Sequence, residues 1–141
     1  MVSEVPSHAQ VVIIGGGVAG CSVAYHLTRL GWQDVVLLER KSLTSGTTWH
    51  AAGLIGQLRA THNLTRLAQY TADLYAALEK ETGQATGFRQ NGSLSIASEP
   101  ERFEELRRGA SMASCFGLEA EVISPAEARE LHPLIEIEDL V

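Results

Sequence analysis

Val11-Val12-Ile13-Ile14-Gly15-Gly16-Gly17-Val18-Ala19-Gly20 is the stretch that decides the fold: a β-branched run that passes without interruption into G-x-G-x-x-G. Such a strand-to-helix turn is the phosphate-binding corner of a dinucleotide-binding βαβ unit. Gly15 makes the tight turn, Gly17 lets the backbone approach a pyrophosphate, and Gly20 lets the first helix pack closely on the sheet. The N–H groups of that helix start, with the positive end of its dipole, then face the phosphates. A helix from Val18 to Leu30 is expected from the apolar positions Val23, Ala24, Leu27 and Leu30, with Gly31 as its stop. A second apolar run, Val35-Val36-Leu37-Leu38, closes on Glu39, 19 residues after Gly20. A carboxylate there accepts hydrogen bonds from ribose hydroxyls and disfavours a 2′-phosphate by charge repulsion. The fingerprint by itself does not separate FAD from NAD.

Beyond Glu39 the segment from Lys41 to Gly53 is dense in small hydroxyl residues and glycine. Its Ser, Thr and backbone N–H groups are suitable donors to pyrophosphate oxygens, while Gly46, Ala51, Ala52 and Gly53 leave room for a bulky ring system. Trp49 and the small apolar residues around it argue against a simple polar surface loop.

Composition narrows the alternatives. A length of 141 residues with 45% hydrophobic and 20% charged residues fits an ordinary globular domain and excludes disorder. The net charge of −6, with 11 basic against 17 acidic side chains, argues against a nucleic-acid surface. The apolar run before Gly15 is far too short to span a membrane, so no membrane association is expected. Residues 1–10 have neither a basic region nor an Arg-rich amphipathic pattern. Cytoplasm is therefore the default location, with the mitochondrial matrix as the alternative. Cys21 and Cys115 are isolated, which fits thiols in a reducing compartment better than a disulfide framework. No histidine pairs with another ligand at metal-binding spacing, so no metal is expected. No G-x-S-x-G elbow supports hydrolase chemistry.

Further along, Leu64, Leu67, Ala68, Thr71, Leu74, Tyr75 and Leu78 describe one core-facing helical stripe that ends near Gly83. Gly92 to Ala97 alternates as a strand does, and Glu121-Val122-Ile123 reads as a second short strand. Ser98 with Glu101, and Ser124 with Glu127 behind Pro125, read as capping boxes opening two further helices, the first stopping at Gly117 and the second by His132-Pro133.

VVIIGGGVAGCSVAYHLTRLGWQDVVLLER (11–40) followed by LTSGTTWHAAGL (43–54) resembles the amino-terminal segment of the sarcosine and dimethylglycine dehydrogenases and related bacterial N-methyl-amine oxidases. The resemblance continues through LEKETGQATGFRQNGSLSIAS (78–98) and SPAEARELHPL (124–134). It implies an α/β chain: a Rossmann-type FAD-binding βαβ unit followed by the start of an α+β substrate domain, with the sheet incomplete. Residues 1–83 would be the amino-terminal part of the FAD-binding domain and 84–141 the start of the substrate side, with the rest of both truncated. The cofactor contacts it implies are Gly15, Gly17, Val18, Ala19 and Gly20 in the turn, Glu39 and Arg40 after the second strand, and Thr47, Thr48, His50, Gly53 and Leu54 in the loop. His50 matches the histidine that commonly carries FAD through a covalent bond to the 8α-methyl group, a reaction that suits a neutral, nucleophilic imidazole nitrogen. No catalytic residue is assigned.

The activity implied is oxidation of an N-methyl amine by hydride transfer to flavin N5. The resulting iminium is hydrolysed, or captured by tetrahydrofolate where a carboxyl-terminal folate-binding region exists. Two other readings compete: a truncated, non-catalytic nucleotide-binding module, and an NAD-dependent dehydrogenase domain. Trp49-His50 favours flavin over the latter, and the early chain end favours a fragment over an autonomous enzyme. Two parallel strands alone leave an apolar sheet face exposed.

Overall fold

The structure is a computed structural model, and it describes residues 5–141. The order of elements is β1 (Val11–Ile14), α1 (Val18–Arg29), β2 (Val35–Leu38), a 3-10 turn (Thr47–His50), α2 (His62–Thr82), α3 (Pro100–Cys115) and α4 (Pro125–Leu131). The chain divides into two compact units, Met1–Leu54 and Ile55–Val141.

The first unit is the βαβ motif. β1 and β2 are parallel, with Val11 opposite Val35 and Ile14 opposite Leu38. Their β-branched residues suit a pleated surface, and a parallel pair requires the crossover that α1 supplies. Alternation sets the faces: Ile13 is buried, whereas Val12 and Ile14 on either side of it are exposed. The sheet has two strands, so its outer face remains apolar and open, with Ile14 87% exposed. α1 stops where the sequence indicates: Leu30 is its cap, and Gly31 follows at φ 92°.

The second unit is helical. Thr61 caps α2 by accepting from Leu64 N–H, and Gly83, in the left-handed region at φ 71°, ends it. The buried face of α2 is displaced from the expected stripe. Thr65 and Ala72 are its buried residues, while Leu64 and Leu67 are 51% and 61% exposed. Thr65 is tolerated inside because its hydroxyl donates to Arg59 O at 3.2 Å and accepts from Arg59 N–H at 3.1 Å. The end of α3 folds back on α2 through the Phe116 ring, 5.3 Å from that of His62.

Two expectations are corrected here. Residues 92–97 and 121–123 are irregular, not strands. A strand is completed by a neighbour that takes its N–H and C=O groups, and the contact at Ala97 is a single bond, from Val141 N–H at 3.0 Å. Ser98 does not cap α3. Glu99 holds that place at φ −130° and ψ 143°, because Pro100 takes the first helical position and forces the residue before it into extended backbone. The Ser124–Glu127 capping box, in contrast, is present in full, with Pro125 at the start of α4.

Candidate functional site

The site is assembled where β1, α1 and β2 meet. Gly15 leaves β1 at φ 103°, a conformation that side chains resist, and its N–H donates to Leu38 O at 2.8 Å. α1 then begins at Gly17, which supplies no side-chain cap. A Cβ on Gly20 would fall 1.9 Å from Gly15 O and 3.3 Å from Ile13 Cγ2. Only a glycine there allows the helix to seat this closely against the turn.

Glu39 bends back over that turn. Gly16 N–H donates to Glu39 Oε2 at 2.8 Å, and Lys41 N–H donates to Oε1 at 2.9 Å. The Lys41 bond first, then the Gly16 bond, hold its carboxyl below the usual 4.5 of a glutamate, with the Arg40 N–H and guanidinium adding to the effect. The acid is therefore ionised next to the glycine turn, where a carboxylate accepts sugar hydroxyls.

The segment after Arg40 closes over the same corner. Thr44 N–H donates to Gly16 O at 2.8 Å, and Leu43 lies over Gly16, where a Cβ would meet its Cδ2 at 2.6 Å. The 3-10 turn follows, and Thr48 Oγ1 accepts from Val18 N–H at 2.9 Å. Trp49 and His50 stand next in the chain with ring centroids 4.0 Å apart and planes tilted by 35°. Both rings are exposed.

Of the residues assigned from the sequence, Gly15, Gly17, Val18, Ala19, Gly20, Glu39 and Thr48 are brought to this one corner. Arg40 is exposed beside it, Thr47 opens the 3-10 turn, and His50 closes that turn two residues past the Thr48 contact. Gly53 lies beyond, at φ 76°, and Leu54 is 88% exposed at the end of the unit. Gly16, Leu43 and Thr44 were not assigned. The unbroken glycine triplet was a usable signal for Gly16. None existed for Thr44, whose φ of 61° is unexpected for a β-branched residue.

The corner fits a dinucleotide on its own geometry. It offers an uncapped helix start, glycines whose side chains would fill the approach, and an ionised acid within reach of the turn. Among the described residues no cluster of His, Cys, Asp or Glu is placed to hold a metal ion. Nor is any described helix long and apolar enough to cross a membrane.

Comparison with known proteins points the same way. The chain is 49% identical over 136 residues to human mitochondrial sarcosine dehydrogenase, a match that covers 96% of this chain and 15% of that protein. It is 46% identical over 136 residues to the mouse mitochondrial pyruvate dehydrogenase phosphatase regulatory subunit, covering 96% and 16%. Against rat mitochondrial dimethylglycine dehydrogenase it is 42% identical over 138 residues, covering 98% and 16%. The chain thus spans about 15% of the length of the curated relatives it matches. Residues 10–141 match the family described as FAD dependent oxidoreductase (DAO). With its glycine corner, its acid and this match along nearly its whole length, the chain belongs to the FAD-dependent oxidoreductase family.

Proposed function

We propose that this chain is the cofactor-binding part of an oxidoreductase that acts on N-methyl amines of the sarcosine and dimethylglycine type. The observation that carries the reading is the contact of Thr48 with Val18, because it brings the turn bearing Trp49 and His50 to the glycine corner. FAD, when bound, supplies the acceptor for the hydride equivalent taken from the methyl carbon. The residues of this chain bind and orient. The glycine turn and the start of α1 receive the pyrophosphate, Glu39 accepts the ribose hydroxyls, and the small residues around Ala51 to Gly53 leave space for the ring system. His50 is the residue we assign to a covalent link through its imidazole nitrogen. The Trp49–His50 turn at this corner favours a flavin over a nicotinamide dinucleotide.

The substrate is a small N-methyl amine, and tetrahydrofolate is a partner only where a folate-binding region accompanies the chain. The free thiols of Cys21 and Cys115 suit a reducing compartment, the cytoplasm or, as in the relatives whose names place them there, the mitochondrion. A second reading is a nucleotide-binding module without catalysis. Its support is the similarity to a relative named as a regulatory subunit. One experiment separates the two links of the argument. The purified chain is denatured in acid and run on a gel beside His50→Ala, and flavin fluorescence is recorded before and after denaturation. Flavin that co-purifies and survives denaturation in the parent but not in His50→Ala supports both binding and attachment. Co-purifying flavin that is released by acid from both refutes the covalent link alone, and absence of flavin from the native parent refutes the oxidoreductase reading for this chain.

A further inference from the structure

We propose that Thr48 is a positioning residue that latches the turn carrying His50 onto the mouth of α1, and that its hydroxyl passes the helix end on to an anionic oxygen of the cofactor. This inference deepens the proposed function and rests on it. Val18 is the first residue of α1, and a first-turn N–H has no acceptor within its own helix. The usual remedy is a side chain on the residue before it, but Gly17 has none to offer. The acceptor comes instead from another loop: Thr48 Oγ1, 2.9 Å from Val18 N and 30 residues further along the chain.

The place is shaped for this approach. A Cβ on Gly17 would meet Thr48 Oγ1 at 3.1 Å, so the glycine that opens the corner to phosphate also admits the threonine. A second tie, Thr44 N–H to Gly16 O at 2.8 Å, holds the front of the same loop. Between these ties the loop has little freedom, and the 3-10 turn from Thr47 to His50 carries Trp49 and His50 wherever Thr48 goes. Their rings, 4.0 Å apart, move as a pair.

The chemistry follows from the hydroxyl's inventory. A threonine hydroxyl accepts through oxygen and donates through its one hydrogen. With the oxygen engaged by Val18, the O–H remains to donate, and accepting a bond from a helix N–H strengthens it as a donor. A pyrophosphate oxygen at the mouth of α1 is the acceptor such a donor suits. Binding of the anion and placement of the histidine are thereby coupled through one side chain.

The test uses the 141-residue chain with Thr48→Val, which keeps the shape and removes the hydroxyl, and Thr48→Ser, which keeps it. Hydrogen exchange of the Val18 amide is followed without ligand, and FAD is titrated by fluorescence. In Thr48→Val the Val18 amide is expected to exchange several-fold faster and FAD to bind about tenfold more weakly, while Thr48→Ser stays near the parent. Parental Val18 exchange in Thr48→Val overturns the latch, whatever FAD does. Faster exchange with parental FAD affinity overturns the donation to the cofactor. If Thr48→Val loses its helical signal, Thr48→Ser decides, and fast Val18 exchange or tenfold weaker FAD binding there overturns the proposal. A parent chain that binds no FAD refutes the proposed function, and the coupling to cofactor with it, while the exchange measurement still judges the latch.

Discussion

Replacing Gly20 with alanine should destabilise the first unit, although alanine is by far the better helix former. Intrinsic propensity alone favours the change by about 1 kcal/mol in a helix interior. Against this, the added Cβ would stand 1.9 Å from Gly15 O, 3.1 Å from Gly15 C and 3.3 Å from Ile13 Cγ2. The nearest two are backbone atoms of a turn tied to Leu38 O, so no rotamer change relieves the clash. To restore ordinary contact the helix must lift from the turn by roughly 1.5 Å, which places the cost at or above the usual upper end for overpacking, about 3 kcal/mol. Net destabilisation is therefore about 2 kcal/mol or more. Gly109→Ala is the matched control, since Gly109 lies inside α3 and a Cβ added there would have nothing within 4 Å. There propensity acts alone and the second unit should gain about 0.8–1 kcal/mol. The two can be read separately in urea. Both tryptophans, Trp32 and Trp49, belong to the first unit and report it by fluorescence, whereas the helical dichroism is dominated by α2, α3 and α4. A Gly20→Ala chain as stable as the parent by tryptophan fluorescence would refute the claim that close packing of α1 on the turn requires this glycine.

Three other outcomes are expected. Because backbone N–H groups hold the Glu39 carboxyl below 4.5, its contribution to stability is present above that pH and fades as pH falls through the lowered value; Glu39→Gln should flatten the acid limb of the tryptophan-monitored unfolding curve, and an unchanged limb would show that these bonds do not matter. Ser124→Ala should cost about 1 kcal/mol by opening the capping box of α4, whereas Ser98→Ala, which removes no cap, should change stability by less than about 0.5 kcal/mol; urea midpoints followed by dichroism compare them. Ile13→Ala should cost about 2–3 kcal/mol because Ile13 is buried against α1, while Ile14→Ala, at a side chain 87% exposed, should cost under about 0.5 kcal/mol. Equal losses at the two isoleucines would mean that the open sheet face is covered in solution.

The residues legible in the sequence were those whose meaning is local. Val11 to Ile14, the glycine spacing, Gly31, Gly83 and the Ser124-Pro125-Glu127 cap each specify a conformation through their own backbone preferences, and the structure has each of them. Where a second residue intervened, local reading failed: Pro100 moved the cap of α3 from Ser98 to Glu99. The stripe on α2 was displaced for a related reason, since Thr65 is buried only because Arg59 satisfies its hydroxyl.

The alternation at 92–97 and 121–123 announces strands, but alternation describes a side-chain pattern, and a strand exists only when another backbone takes its hydrogen bonds. The same distinction divides the site. The sequence determined the parts, a glycine corner, an acid at the end of β2 and a Trp-His turn, because spacing and side-chain chemistry identify each one singly. Tertiary structure alone decided that Glu39 folds onto Gly16, that Thr44 leaves the usual backbone region to reach Gly16 O, and that Thr48 caps a helix 30 residues away. Those contacts join groups distant along the chain, and their distances follow from how the crossover packs on its strands, which no local preference encodes.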